Sequence, residues 1–211
     1  MSSRYASNPR PPRGPHEEKL ADPTAYNLGG DSRYTDPRER RLNAQANYGD
    51  GHLLRMPFMT QVAENLWHGG VEAGLVLPEF VQYKLSIYRA EEYELTHELV
   101  ESRTVTMFDS LEQEMDEIPA LAAWVNERRA LGPVFVHCQA GLNWSSLVVA
   151  AALIAAGEVA TEQEAIDLIR AKRDAACLCN PRFEAWVRDE AVAAVAAVAA
   201  YSAAGSSMPV E

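Results

Sequence analysis

The 211-residue chain is poor in cysteine, with three, and in aromatic residues, at 8%. Three cysteines make no disulfide framework in a chain this long, so a reducing, cytoplasmic setting is the default expectation. No stretch approaches the roughly 18 uncharged apolar residues that a membrane span requires. The first 30 residues carry Arg, Pro and Asp without an apolar stretch, and no secretory signal is expected from them. Positive charge is also scarce. Lys and Arg number 19 against 30 Asp and Glu, a net charge of −11. That balance speaks against a nucleic-acid partner, which would need a basic face, and against docking on a membrane of anionic lipid. There is no internal repeat.

What is present is unevenly spread. Residues 1–55 hold nine Lys and Arg and seven Asp and Glu, a net of +2, which leaves −13 for the rest. This stretch is rich in Pro, Gly, Asn, Arg and Ser and lacks hydrophobic periodicity, so it reads as a disordered or extended arm. Its arginines (Arg4, Arg10, Arg13, Arg38, Arg40, Arg41) offer a dock for an acidic partner, although a solvated leader is the plainer reading. From about residue 56 to 204 the 47% apolar content can support one packed domain. Residues 205–211 read as a flexible tail.

Within that domain the pattern alternates. Strands are expected over Val62–Trp67, ending at Gly69-Gly70, then over Val81–Tyr88 and Arg103–Phe108. Ile118–Arg129 has apolar residues at helical spacing, with Pro119 tolerable near its start. Gly132-Pro133 breaks the chain before a short buried strand, Val134–Val136. Ser145–Ala156 is apolar on nearly all sides and predicts a buried helix, stopped by Gly157. Thr161-Glu162-Gln163-Glu164 is a capping box that opens a helix to about Arg173. A last helix is expected from Pro181 to about Ala204, with an Ala-rich end that has little to bury. Strands alternating with helices, then a run of helices, predict an α/β domain with a central sheet flanked by helices.

The chemistry concentrates between the buried strand and the buried helix, at His137-Cys138-Gln139-Ala140-Gly141-Leu142-Asn143-Trp144-Ser145-Ser146. A cysteine leaves the carboxyl end of a strand, a short loop with one glycine curls around it, and a helix begins at once with its first N–H groups free. Loop amides and the positive helix end converge on one spot. Such a spot binds an anion and favours the thiolate form of the cysteine. An anion cradle with a nucleophile in it suits attack on phosphorus.

These residues resemble the signature of the cysteine-dependent protein phosphatases, H-C-x-x-G-x-x-R-S/T, and look most like the dual-specificity branch. Eight of the nine positions from His137 to Ser145 agree. Leu66-Trp67-His68-Gly69-Gly70 is similar to the family's early strand ending in glycine. Met107-Phe108-Asp109-Ser110 is similar to the strand end and loop that carry its general acid. Ala165–Arg170 and Asn180–Phe183 resemble its closing helices, so the likeness spans roughly 61–190. The resemblance implies a phosphotyrosine protein phosphatase-like α/β fold of dual-specificity type. It implies Cys138 as nucleophile, forming a phosphocysteine intermediate, and Asp109 as general acid and then base. Ser145 would donate to the cysteine sulfur and His137 would orient the loop. The amides of Gln139, Ala140, Gly141, Leu142 and Asn143 would hold phosphate oxygens. No metal or other cofactor is implied. The substrate class is a phosphorylated protein or another phosphate ester.

The ninth position departs from the family. Trp144 stands where the family has arginine. The arginine offers a planar fork of donors to two phosphate oxygens, whereas indole is bulky, neutral and has one donor. Losing one preorganised donor from such a site costs about 10²–10³ in rate. The expectation is a phosphatase-type protein with its nucleophile intact and its phosphate clamp impaired. Trp144 is either native, which makes the chain a pseudophosphatase, or the replacement of an arginine. The alternative function is a non-catalytic phosphate-binding or scaffold protein. A third reading has Trp144 plugging the cradle in an interaction protein.

The remaining features take plain readings. Cys177 and Cys179 read as semi-buried cysteines and not as half of a metal site. His52, His68 and His97 are scattered, and none is singled out for catalysis. Trp67, Trp124 and Trp186 read as core. The acidic positions from Glu91 to Glu117 read as a solvated face.

Overall fold

The computed structural model describes residues 57–71, 74–88, 92–107 and 111–205. The arm expected over 1–55 and residues 206–211 of the expected tail lie outside them, whereas Gly205 belongs to the last helix. Five strands form one sheet: β1 (Met59–Ala63), β2 (Leu66–Gly69), β3 (Tyr83–Ser86), β4 (Glu101–Thr104) and β5 (Val134–His137). Their order is β1-β2-β5-β3-β4. β1 is antiparallel to β2, and the other neighbours are parallel. The last strand in sequence is thus inserted at the centre, where both its edges are paired.

Parallel strands bury both faces, and the alternation of side chains decides which residue meets which cover. Val134 and Val136 of β5 join Leu66, Tyr83 and Leu85 in the main core, and Phe135 joins a second cluster on the opposite face with Met59, Val71, Leu77 and Tyr93. All five helices pack on the main-core face: α1 (Ile118–Arg129), α2 (Trp144–Ala155), α3 (Glu162–Lys172), α4 (Pro181–Asp189) and α5 (Ala191–Gly205). Val71, Leu75, Leu77, Val81 and Tyr93 cover the other face. α2 is the axle of the helical layer. Residues 145–153 are all buried, and burying each Leu or Val there contributes about 1.5–3 kcal/mol. The capping box at α3 holds, since Thr161 Oγ1 accepts from the Glu164 amide at 3.1 Å.

Three elements differ from expectation. Val62–Trp67 is not one strand but the two arms of a hairpin, turning at Glu64-Asn65, where Asn65 has φ 53°. Asparagine tolerates that left-handed conformation better than most residues. The long final helix is two helices. The chain breaks at Glu190, whose φ of −121° and ψ of −26° leave the helical region. The strand expected over Arg103–Phe108 is Glu101–Thr104, and Phe108 lies outside the described residues.

Candidate active site

Because β3, β4 and β5 run parallel, their carboxyl ends lie at one edge of the sheet. Cys138 leaves β5 there, and the chain turns through Gln139–Asn143 into α2. The turn needs Gly141, whose φ is +69°. A Cβ on it would lie 2.3 Å from the Gly69 carbonyl carbon and 2.4 Å from an Arg173 nitrogen. The loop is tied to the end of β2 by main-chain bonds from the Cys138 amide to Gly69 O at 3.2 Å and from the Val71 amide to Gln139 O at 2.9 Å.

Cys138 is 4% exposed. Its sulfur accepts from the Gly141 amide at 3.3 Å and lies 3.1 Å from Ser145 Oγ in the first turn of α2. The amides of Ala140 and Leu142 have no acceptor among the described residues. The sulfur therefore faces one backbone N–H and the Ser145 hydroxyl beside the N-terminus of a buried helix.

The outside of the loop is held by a side chain not assigned a role in the sequence. Arg173, just past α3, is 7% exposed. Its guanidinium donates to Gly141 O at 2.7 Å, Ala140 O at 3.1 Å, Pro57 O at 2.9 Å, Thr60 Oγ1 at 3.2 Å and His68 O at 3.4 Å. Holding two consecutive loop carbonyls outward turns the amides of that segment inward. Arg173 is occupied by this work and does not stand in for a phosphate clamp. A second strap comes from 178–180. The Leu178 amide donates to Leu142 O at 2.6 Å, and Asn143 Oδ1 accepts from Cys179 Sγ at 3.1 Å and the Asn180 amide at 2.9 Å. Cys177 and Cys179 are thus more buried than expected, at 0% and 6% exposure. Burial pushes the Cys177 thiol up, against the pull of Arg173 and the Ser146 hydroxyl.

The two histidines of the site lie on opposite sheet faces. His137 stacks on Phe135 at 5.1 Å and meets the edge of Tyr93 at 5.7 Å. Burial first, then Lys84, holds its pKa down at about 3, against the opposing pull of a hydrogen bond with the Cys138 backbone, so the ring is neutral. His68, not singled out in the sequence, is fully buried on the helix face, with Nε2 3.0 Å from Ser145 Oγ. Trp144 opens α2. Its indole is half-buried against the main core, and Nε1 has no partner among the described residues. Asp109 lies outside the described residues, which stop at Met107 on this side of the loop. Among the described residues no group of three or more His, Cys, Asp or Glu could hold a metal ion, and no helix is long and apolar enough to cross a membrane. The acidic face is partly engaged, since Glu101 accepts from Arg128 and Trp124 and Glu92 pairs with Lys84.

No protein-family model matches the chain, and no curated protein does. Solved structures do. The chain is similar to a mouse putative dual specificity phosphatase complexed with zinc tungstate, with 20% identity over 68% of this chain and 91% of that one, at a TM-score of 0.54. It is similar to human DUSP28, with 20% identity, 68% and 96% coverage and a TM-score of 0.52. It is also similar to the human tyrosine phosphatase-like serine/threonine/tyrosine-interacting protein, with 14% identity, 69% and 97% coverage and a TM-score of 0.51. At these identities the likeness is one of architecture: the central sheet and its helices have the fold of the dual-specificity phosphatases.

Proposed function

We propose that the protein is a cysteine-dependent phosphatase of dual-specificity type, acting on phosphorylated proteins or other phosphate esters, with turnover impaired because Trp144 occupies the position of the phosphate-clamping arginine. The observation that carries this reading is the setting of Cys138, whose sulfur faces the Gly141 amide and the Ser145 hydroxyl at the start of a buried helix. In the proposed reaction the Cys138 thiolate attacks phosphorus, an S–P bond forms and the ester P–O bond breaks. Asp109 protonates the departing oxygen. Water, giving its proton back to Asp109, then attacks phosphorus, and the S–P electron pair returns to sulfur, where the Ser145 hydroxyl donates to it. The amides of Gln139 to Asn143 bind the equatorial oxygens throughout, and the neutral His137 braces the start of the loop through its stack on Phe135. What the substitution removes is the family's cation beside those oxygens. Trp144 supplies none, and Arg173 is engaged by loop carbonyls on the other side. Three free cysteines suit the reducing, cytoplasmic setting that such a thiolate needs.

The test is hydrolysis of a chromogenic aryl phosphate. The unsubstituted chain turns over slowly, Trp144→Arg raises kcat/KM by at least about 10², and Cys138→Ser abolishes turnover in both backgrounds. Ordinary phosphatase rates in the unsubstituted chain would remove the impairment. Failure of Trp144→Arg to raise the rate would favour a phosphate-binding scaffold.

A further inference from the structure

His68 is the buried ionisable group for which the reaction above has no use. Its placement follows from sheet geometry. In β2 it pairs with Val136, one residue before the histidine that precedes Cys138, and it shares the helix-facing side with Leu66. That side brings Nε2 3.0 Å from Ser145 Oγ and 3.3 Å from Ser146 Oγ, while Ser145 Oγ lies 3.1 Å from Cys138 Sγ. The imidazole, the hydroxyl and the sulfur therefore form a chain.

The direction of that chain depends on the tautomer. His68 Nδ1 is buried and has no partner among the described residues. If Nδ1 carried the proton, a buried N–H donor would be orphaned. If Nε2 carries it, only an acceptor lone pair is left over, which folded proteins tolerate more readily. The ring also stays neutral, because burial first and the Arg173 guanidinium second hold its pKa well below the usual histidine range. A neutral ring protonated at Nε2 donates to the nearer hydroxyl. The single proton of Ser145 is then kept from reversing toward the imidazole and has two acceptors, the sulfur at 3.1 Å and the more distant Gly69 O at 3.5 Å, of which the nearer is the sulfur.

We propose that His68 is a positioning residue for Cys138: its Nε2–H donates to Ser145 Oγ and so turns the Ser145 hydroxyl proton onto the cysteine sulfur. Hydrogen bonds in series polarise one another, so the Ser145 bond to an ionised sulfur is stronger with His68 behind it than without. The inference rests on the reading of Cys138 as a thiolate nucleophile. The other ionisable groups around the chain are Arg173, which faces the His68 ring and the outside of the loop, and Cys177, which senses Arg173, Arg170 and Cys138. His137 and Lys84 stand on the far side of β5.

Two measurements test it. In the unsubstituted protein, two-bond ¹⁵N–¹H correlation of the imidazoles is expected to show His68 neutral and protonated at Nε2 from pH 5 to 8. An Nδ1-protonated or cationic His68 overturns the proposal. Peptide-resolved alkylation of Cys138 by iodoacetamide is then followed against pH in His68→Leu and His68→Gln. The leucine removes the donor, while the glutamine amide restores an N–H near the place of Nε2. His68→Leu is expected to move the midpoint of Cys138 reactivity up by about half a pH unit, because Ser145 keeps its bond to sulfur but loses the polarisation that His68 adds, and His68→Gln to leave it unmoved. An unmoved midpoint in His68→Leu, or an equal shift in His68→Gln, overturns it. Either result leaves the nucleophile reading standing if the unsubstituted Cys138 still alkylates near neutral pH, and loss of that alkylation removes both.

Discussion

Replacing Gly141 with alanine perturbs the loop at its tightest point, and the structure sets the size of the effect. Two costs combine. The first is backbone strain, since φ of +69° places an alanine in the left-handed region, at about 1–2 kcal/mol. The second is space. The added Cβ would lie 2.3 Å from Gly69 C and 2.5 Å from Gly69 O, main-chain atoms of a paired strand that cannot move aside cheaply. Overpacking of that kind costs about 1–3 kcal/mol more, so Gly141→Ala is expected to lose about 2–5 kcal/mol in all. Gly157 supplies the control. Its φ is +67°, but nothing lies within 4 Å of its added Cβ, so Gly157→Ala is expected to lose only the strain, about 1–2 kcal/mol. Urea unfolding of both variants measures the difference. Alkylation of Cys138 should fall at least tenfold in Gly141→Ala alone, because the amide facing its sulfur is displaced. Equal losses of stability in the two variants would refute the close approach of the loop to β2.

Arg173→Lys keeps the charge but cannot satisfy five acceptors at once. It orphans buried carbonyls and is expected to cost about 2–4 kcal/mol by urea unfolding, with a loss under about 1 kcal/mol contradicting the strap. Stability should also depend on acid through the buried histidines. His137 is held down at about 3, and His68 is likewise lowered, so between about pH 3 and 6.5 the unfolded chain binds protons that the folded one does not. Stability is therefore full above about pH 6.5 and falls with pH below it. His137 should account for a drop of about 1.2 kcal/mol between pH 7 and 5.5, and His68 adds to it, so His137→Phe should reduce the slope without abolishing it. A flat profile over that interval would contradict the neutral burial of both rings.

The part of the site that was legible in the sequence is the part made by local chemistry. Strand, cysteine, glycine and buried helix follow one another within ten residues, and their types alone predict a turn with inward amides. Tertiary contacts hid the rest. His68 looked like one histidine among five, because its facing depends on the register of β2 against β5, which pairs residues far apart in sequence. Arg173 belongs to no motif, and only the fold brings it behind the loop. The hairpin at Glu64-Asn65 was masked by apolar residues on both sides of the turn, although asparagine was a usable signal. The break at Glu190 left no mark, since Arg182–Ala200 contains no glycine or proline.

The most direct measurement is the alkylation of the three cysteines at pH 6.5, resolved by peptide, with and without a saturating tetrahedral oxyanion such as vanadate or tungstate. The account predicts that Cys138 reacts well ahead of the comparably buried Cys177 and Cys179 and that the oxyanion protects it. A Cys138 as inert as the other two, or one that reacts equally fast with the oxyanion present, would contradict an anion cradle built around its sulfur.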